Sequence, residues 1–143
     1  MKLRILFSLL AVLFLVSQAR AQQAPTRPKS GFYTTYEYLT YAILDQSAGP
    51  EPVAAQGVGG TLTLRPDGTY QKRLTLAANG TTLHFDQDGR FAFTADHITF
   101  TYTDSKGQPR TDEGTFMLRS GLLTLTMQGY PAGNQGIYTL RGH

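Results

Sequence analysis

The sequence predicts an all-β protein: a single antiparallel meander β-barrel of eight or nine strands, with no substantial helix after residue 21. Short runs that alternate apolar and polar residues recur from Thr61 onward, and such alternation places the apolar side chains on one face of a strand. Tight turns separate the runs, and no stretch after residue 21 has apolar residues at helical spacing. Strands joined by tight turns are neighbours in the sheet, which gives a meander. The predicted turns lie at Asp67-Gly68, Asn79-Gly80, Asp88-Gly89 and Ser120-Gly121.

The first strand is expected over residues 31–41, extending toward Leu44, because this run is dense in Tyr, Thr and Phe. Residues 45–60 contain two prolines and four glycines and break the periodicity. We therefore expect a long loop there, with a short helical turn around Val53. Loops of this length are uncommon in compact domains and are usually functional or disordered. The remaining strands are expected at 61–65, 69–77, 81–86, 90–94, 97–103, 112–118, 122–128 and 136–141.

One face of these strands is apolar, and it is the candidate core. It consists of Leu62, Leu64, Tyr70, Leu74, Leu76, Phe91, Phe93, Ile98, Phe100, Tyr102, Phe116, Leu118, Leu123, Leu125, Met127, Tyr138 and Leu140. A sheet closed on itself with this face inside accounts for the pattern. A two-sheet sandwich is the structural alternative. An outer-membrane barrel fits less well, because its strands need roughly 9–11 residues and turn their apolar side chains toward lipid.

Residues 1–21 have the pattern of a secretory signal peptide. Lys2 and Arg4 form a basic start, residues 5–16 are an apolar core, and Ala19-Arg20-Ala21 is a small-x-small cleavage site. The apolar core is shorter than the roughly 20 residues of a membrane-spanning helix, so the protein is not expected to span a membrane. We expect cleavage after Ala21 and a secreted or periplasmic product, in which a flexible leader (22–30) precedes one barrel domain (31–143).

Charge and cysteine content exclude several classes of protein. Lys2, Arg4 and Arg20 would leave with the signal peptide, which reduces the 13 basic residues to ten and equals the ten acidic ones. No basic footprint for nucleic acid remains, and the doublet Lys72-Arg73 is expected on an exposed strand face. The chain has no cysteine, which excludes a disulfide framework and a cysteine-linked lipid anchor.

Three segments resemble the lipocalin-like (calycin) small β-barrels of secreted bacterial proteins. They are the strand–turn–strand phrase 62–70, the hairpin 114–127 and the last strand 136–141. The resemblance covers about residues 31–141 and implies a barrel that is closed at one end and open at the other.

The resemblance also implies roles for two regions. In lipocalins a Gly-x-Trp opens the first strand, and an arginine of the last strand packs on the indole. Gly31-Phe32-Tyr33 and Arg141 occupy these places, so the resemblance implies a closed-end contact between Tyr33 and Arg141. It further implies that loop 45–60 is a lid over the open end; a disordered insertion without function is the alternative.

Inward aromatic residues are the candidate ligand contacts: Tyr36, Tyr38, Tyr70, Phe93, Phe100, Tyr102, Phe116 and Tyr138. Small barrels either fill their interior with side chains or hold one small ligand. We expect non-catalytic binding of a small, mostly apolar molecule that enters at the end carrying residues 45–60. The alternative is a solid envelope interaction module that acts through its outer surface.

Two clusters of polar residues suggest chemistry, and each has a simpler explanation. His84, Asp86 and Asp88 alternate along the chain with His97 nearby and could hold a divalent cation, but Asp88-Gly89 is equally typical of a hairpin turn. Asp96-His97 is half of an acid–base pair without a nucleophile motif. No metal, cofactor or catalytic residue is therefore expected, with a hydrolase as the alternative to a non-enzyme.

Overall fold

The computed structural model describes residues 31–143. The predicted signal peptide and leader, residues 1–21 and 22–30, lie outside the described residues. Nine strands make up the described chain: β1 (Thr35–Leu44), β2 (Val53–Ala54), β3 (Gln56–Leu64), β4 (Thr69–Ala78), β5 (Thr81–Thr94), β6 (His97–Thr103), β7 (Pro109–Arg119), β8 (Leu122–Gln128) and β9 (Gln135–Gly142). The described residues contain no helix.

The strands form one closed antiparallel sheet. Consecutive strands from β3 to β9 pair in chain order, and β1 pairs with both β3 and β9. The β1–β9 seam runs from Tyr36 opposite Gly142 to Leu44 opposite Gln135. This seam closes eight strands into a barrel, with the two-residue β2 as an addition to β1. The predicted all-β meander barrel is confirmed, and the sandwich alternative is wrong.

The predicted turn at Asp88-Gly89 is wrong. β5 is one strand of 14 residues rather than the two runs 81–86 and 90–94, because β4 pairs with it without a break from Thr69 opposite Arg90 to Ala78 opposite Thr81. The turns at Asn79-Gly80 and Ser120-Gly121 are confirmed, and both of their residues have positive φ.

The expected long loop 45–60 is shorter than the sequence suggested. Val53 and Ala54 form β2 opposite Ile43 and Ala42, where a helical turn was expected. β3 begins at Gln56 instead of Thr61, and its first half pairs with the far half of β4. The loop proper is therefore 45–52. Glycine and proline content misled the prediction, since three of the four glycines of this segment, Gly57, Gly59 and Gly60, lie within β3.

The apolar face predicted from the alternation lies inside the barrel. Eleven of its members are buried, from Leu62 to Leu140, and Leu76, Phe93, Phe116, Met127 and Tyr138 are partly buried against them. Five strands, β3, β4, β5, β7 and β9, are longer than expected, whereas β6 and β8 have the expected bounds and β1 begins later, at Thr35. No helix among the described residues is long and apolar enough to cross a membrane.

The two ends of the barrel differ. At one end, residues 31–34 precede β1 and bring Phe32 into the interior, where its side chain is only 1% exposed. The Phe32 ring lies 4.8 Å from that of Phe93 and 5.4 Å from that of Phe116. The Tyr36 hydroxyl contacts the Gly31 carbonyl oxygen (3.0 Å) and the Phe32 carbonyl oxygen (2.7 Å). This end is closed by packed aromatic rings.

The opposite end carries the longer connections, 45–52, 104–108 and 129–134. The Gln46 backbone N–H donates to Asn134 Oδ1 at 3.1 Å, so two of these connections touch. We call this the open end.

Candidate functional site: a cavity in the open half of the barrel

A cavity of about 180 Å³ lies in the half of the barrel nearer the open end. For comparison, an apolar protein cavity of about 150 Å³ is enough to hold benzene, and sites for drug-sized ligands have about 300–1,000 Å³. The cavity is thus of the size of one aromatic ring with small substituents. It is lined by Tyr38, Tyr41, Leu62, Tyr70, Lys72, Gln87, Phe100, Asp112, Leu125, Met127, Gln128, Gly129, Gly136 and Tyr138.

Strand alternation places these side chains inside. On β4, Lys72 lies between the buried residues Tyr70 and Leu74 in the inward series, and across the ladder it faces Gln87. On β7, Asp112 belongs to the same series as the buried Gly114 and lies opposite Phe100. Side chains two residues apart on a strand share a face. Polar groups therefore enter the cavity on the same strand faces that build the core.

Aromatic rings form two sides of the cavity. The Tyr138 ring stacks on Tyr41 with centroids 4.4 Å apart and an interplanar angle of 4°, and it meets the Tyr38 ring edge-on at 5.9 Å. Elsewhere in the wall, the Tyr70 and Phe100 rings meet edge-on at 4.8 Å. Such arrangements fix ring positions and leave flat apolar surfaces toward the cavity.

Three tyrosines of the cavity, Tyr38, Tyr70 and Tyr138, are neutral hydrogen-bonding groups. Burial raises the pKa of Tyr38 and that of Tyr138 well above the ordinary tyrosine value. Burial also raises the pKa of Tyr70, with a smaller contribution from the charge of Asp112. The Tyr70 hydroxyl lies 2.7 Å from Gln87 Oε1, to which it donates. These hydroxyls therefore stay protonated and able to donate.

Lys72 brings a cation to this wall. Its Nζ lies 5.5 Å from the centroid of the Tyr138 ring, within the range of a cation–π contact. Burial lowers the pKa of Lys72, and the nearby charge of Asp112 partly opposes that effect. The expectation that Lys72 lies on an exposed face is wrong for this residue. It holds better for its neighbour Arg73, whose guanidinium pairs with Asp88 Oδ1 at 2.9 Å.

The structure brings four of the eight predicted ligand residues to the cavity: Tyr38, Tyr70, Phe100 and Tyr138. Tyr36, Phe93 and Phe116 instead pack around Phe32 at the closed end and do not line the cavity. Tyr102 is not part of the lining either, but it lies beside it: burial and the adjacent Asp112 carboxylate raise its pKa.

Sequence reasoning missed Tyr41, Lys72, Gln87 and Asp112. A signal for three of them was present, since Lys72, Gln87 and Asp112 fall in step with inward apolar residues of their own strands. Tyr41 gave no such signal, because the register of β1 against β9 shifts between Tyr38 and Thr40. A bulge of this kind changes which residues face inward.

The predicted contact between Tyr33 and Arg141 does not appear among the described residues, where the cation–π pair is that of Lys72 with Tyr138. Tyr33 instead packs edge-on against Phe32 at 5.3 Å and near Phe91 at 6.4 Å. Arg141 is exposed on β9, opposite Glu37 and Leu122 in the sheet.

The alternating residues His84, Asp86 and Asp88 all lie exposed on β5. Asp88 is engaged by Arg73 through two hydrogen bonds of 2.9 and 3.1 Å. Within residues 31–143, no three His, Cys, Asp or Glu side chains are grouped as metal ligands.

No family model, curated protein or solved structure matches the chain. Fold and cavity define a class of protein by structure: an eight-stranded antiparallel barrel with one half filled by side chains and a cavity in the other half.

Proposed function

We propose that this protein is a non-catalytic, lipocalin-like binding barrel that holds one small, mostly apolar molecule in its open half. The observation that carries the proposal is the cavity of about 180 Å³, whose lining includes four tyrosines. Burying apolar area provides about 25 cal/mol per Å², and tyrosine hydroxyls add one or two hydrogen bonds that orient the ligand.

The lipocalin-like assignment draws support from the connectivity. The strands follow one another in order, and the first pairs with the last. The longest connection, 45–52, follows β1 and lies at the open end. The role of loop 45–52 as a lid stays a prediction.

A secreted or periplasmic location, with cleavage after Ala21, is proposed on the sequence alone. Intact mass of protein exported by a Gram-negative host checks it, with Gln22 as the expected first residue.

A cavity-filling substitution tests the binding proposal. Toluene serves as a neutral probe of ring size, and methyl NMR shifts of Leu62 and Leu125, which line the cavity, report its entry. Met127→Trp fills the cavity and is expected to weaken toluene binding at least tenfold. The matched control is Met117→Trp, because Met117 is 45% exposed on β7 and does not line this cavity.

Circular dichroism of both variants checks that the barrel is intact, and Met127→Phe is a milder replacement should the tryptophan unfold it. Absence of any toluene-induced shift in the wild-type protein would count against a binding cavity. Native mass spectrometry of protein purified from its own host complements this test by revealing a co-purified ligand.

The alternative, an interaction module that works through its surface, is favoured by a different observation. Residues 81–88 of β5 pair only with β4 and have no strand on their other side. Leu83 and Phe85 on this segment are 41% and 45% exposed. An unpaired edge with apolar side chains can accept a strand from a partner. Leu83→Lys together with Phe85→Lys would abolish such docking while leaving toluene binding intact.

A further inference from the structure

Two opposite charges face the cavity without pairing with each other. Lys72 and Asp112 both line it, yet the lysine and arginine salt bridges among residues 31–143 join other residues: Arg73–Asp88 and Arg110–Asp104. Lys72 Nζ has the face of the Tyr138 ring as its neighbour. Asp112 has a side-chain hydrogen bond with Tyr102, but an ionised carboxylate can accept several hydrogen bonds and an ammonium group can donate three.

The influence of Asp112 extends across the cavity. Its charge contributes to the raised pKa of Tyr70, Tyr102 and Tyr138, in each case after the larger effect of burial. It acts in the opposite sense on Lys72, where it favours the charged form. The two charged groups thus border one shared space that a ligand would occupy.

A ligand with a single charge would suit only half of this site. An anion would gain Lys72 but lie in the repulsive field of Asp112, and a cation would meet the reverse. A molecule that carries an acceptor at one end and a donor at the other satisfies both groups. Its apolar middle would lie against Leu62, Leu125 and Met127.

We propose that the ligand is dipolar: a carboxylate or carbonyl oxygen accepts from Lys72 Nζ, and an ammonium or hydroxyl group donates to Asp112. The cavity volume limits the body between these groups to about one ring. This inference rests on the proposed binding function and names the class of molecule bound: small amino acids or hydroxy acids with an apolar body.

Calorimetry with four kinds of probe tests the inference. The probes are toluene, benzoate, benzylamine and the ortho, meta and para isomers of aminomethylbenzoate, which place the two charges at different separations. The best isomer is expected to bind about tenfold to a hundredfold more tightly than benzoate or benzylamine, as a charge-assisted hydrogen bond contributes on that scale.

Two isosteric or near-isosteric variants identify the groups responsible. Asp112→Asn is expected to raise the affinity for benzoate and to lower that for the best isomer. Lys72→Met is expected to raise the affinity for benzylamine and to lower that for the best isomer. The matched controls are Asp86→Asn and Lys106→Met, both at exposed positions outside the cavity lining, and they are expected to leave the order of affinities unchanged.

The outcomes separate the two proposals. If toluene binds but no isomer exceeds benzoate and benzylamine, the dipolar ligand is wrong and the binding barrel stands. The same holds if an isomer binds best but the Asp112 and Lys72 variants leave that order unaltered. If neither toluene nor any other probe binds, the proposed binding function is wrong, and so is the proposed ligand class, which depends on it.

Discussion

Gly89 shows how one residue can carry two different structural meanings. After an aspartate, a glycine predicts a hairpin turn, but here Gly89 lies within β5, opposite Tyr70 on β4. A Cβ atom at this position would overlap the carbonyl oxygen of Thr101 and lie 3.0 Å from Tyr70 Cε1. The glycine therefore serves close approach between strands, with the Tyr70 ring covering the space of the missing side chain.

We expect Gly89→Ala to lower the free energy of unfolding by about 1–3 kcal/mol, the typical cost of overpacking, because the backbone of β6 must move. Urea denaturation measures the change. The control is Gly59→Ala, since its nearest atom is the Thr75 hydroxyl at 3.1 Å, which can rotate away. Equal effects of the two substitutions would contradict the role given to Gly89.

Lys72 shows that residue type alone does not predict which side chains line the cavity. Read as half of a basic doublet, it is expected to be exposed; read by its position between Tyr70 and Leu74, it belongs inside. The same reasoning places Gln87 and Asp112 inside. Residue type predicts eight aromatic ligand contacts, but half of these side chains lie in the closed end or beside the cavity. Strand position would have predicted the polar half of the site.

At the level of the elements, the sequence predicted nearly every strand from alternation, but not where strands extend beyond the core. Alternation arises where one face of a strand is buried. Residues 81–88 of β5 are largely exposed, and the first half of β3 is exposed or only partly buried. These segments are held by their ladder to β4. Backbone pairing of this kind leaves little trace in side-chain pattern, so the glycine-rich start of β3 was predicted as loop.

The far half of β5 provides a test of this pairing. Residues 81–88 have β4 on one side only, so every second backbone N–H points away from any strand. We expect alternate amides of 81–88 to exchange with solvent about a hundredfold or more faster than their neighbours. Hydrogen-exchange NMR measures this. Residues 70–75 of β4, with partners on both sides, are the internal control and are expected to show no such alternation.

On the scale of the whole molecule, we expect stability and the proposed binding to be divided between the two halves of the barrel. Phe32 and its neighbouring rings fill the closed half and need no ligand. The open half exposes charged and hydroxyl groups to a cavity. Phe32→Ala is expected to cost about 3–5 kcal/mol in the free energy of unfolding, as for other buried phenylalanines. It should leave toluene affinity unchanged under conditions where the barrel is folded.

Met127→Ala is expected to show the opposite balance. Met127 lies only partly buried at the cavity wall, so its truncation enlarges the cavity and costs less in stability, while it alters probe affinity. Chemical denaturation and calorimetry on the same two variants compare these effects. A loss of binding in Phe32→Ala at constant fold would show that the halves are not independent.

The buried tyrosines make the whole molecule sensitive to alkali. Burial raises the pKa of Tyr36 to about 12, and it raises that of Tyr38, Tyr70 and Tyr138 as well. In the unfolded chain these hydroxyls ionise near pH 10. Above that pH the unfolded state binds fewer protons than the folded state, so the free energy of unfolding falls as pH rises. The stability that these tyrosines contribute is complete below pH 10 and is lost as pH rises through 10 to 12.

Lys72 acts in the opposite direction, because its lowered pKa lets stability rise with pH just below the ordinary lysine value. The effect of one lysine is smaller than the combined effect of four tyrosines, so the free energy of unfolding is expected to decline as pH rises. Urea unfolding at pH 9, 10 and 11 measures it. Tyr36→Phe is expected to make the decline shallower, at a cost of about 1–2 kcal/mol at neutral pH for the lost hydrogen bonds, whereas the control Tyr130→Phe, at a 95% exposed position, leaves the curve unchanged. A free energy of unfolding that stays constant from pH 9 to 11 would show that the tyrosines ionise without the barrel opening, and that the interior is wetter than its packing indicates.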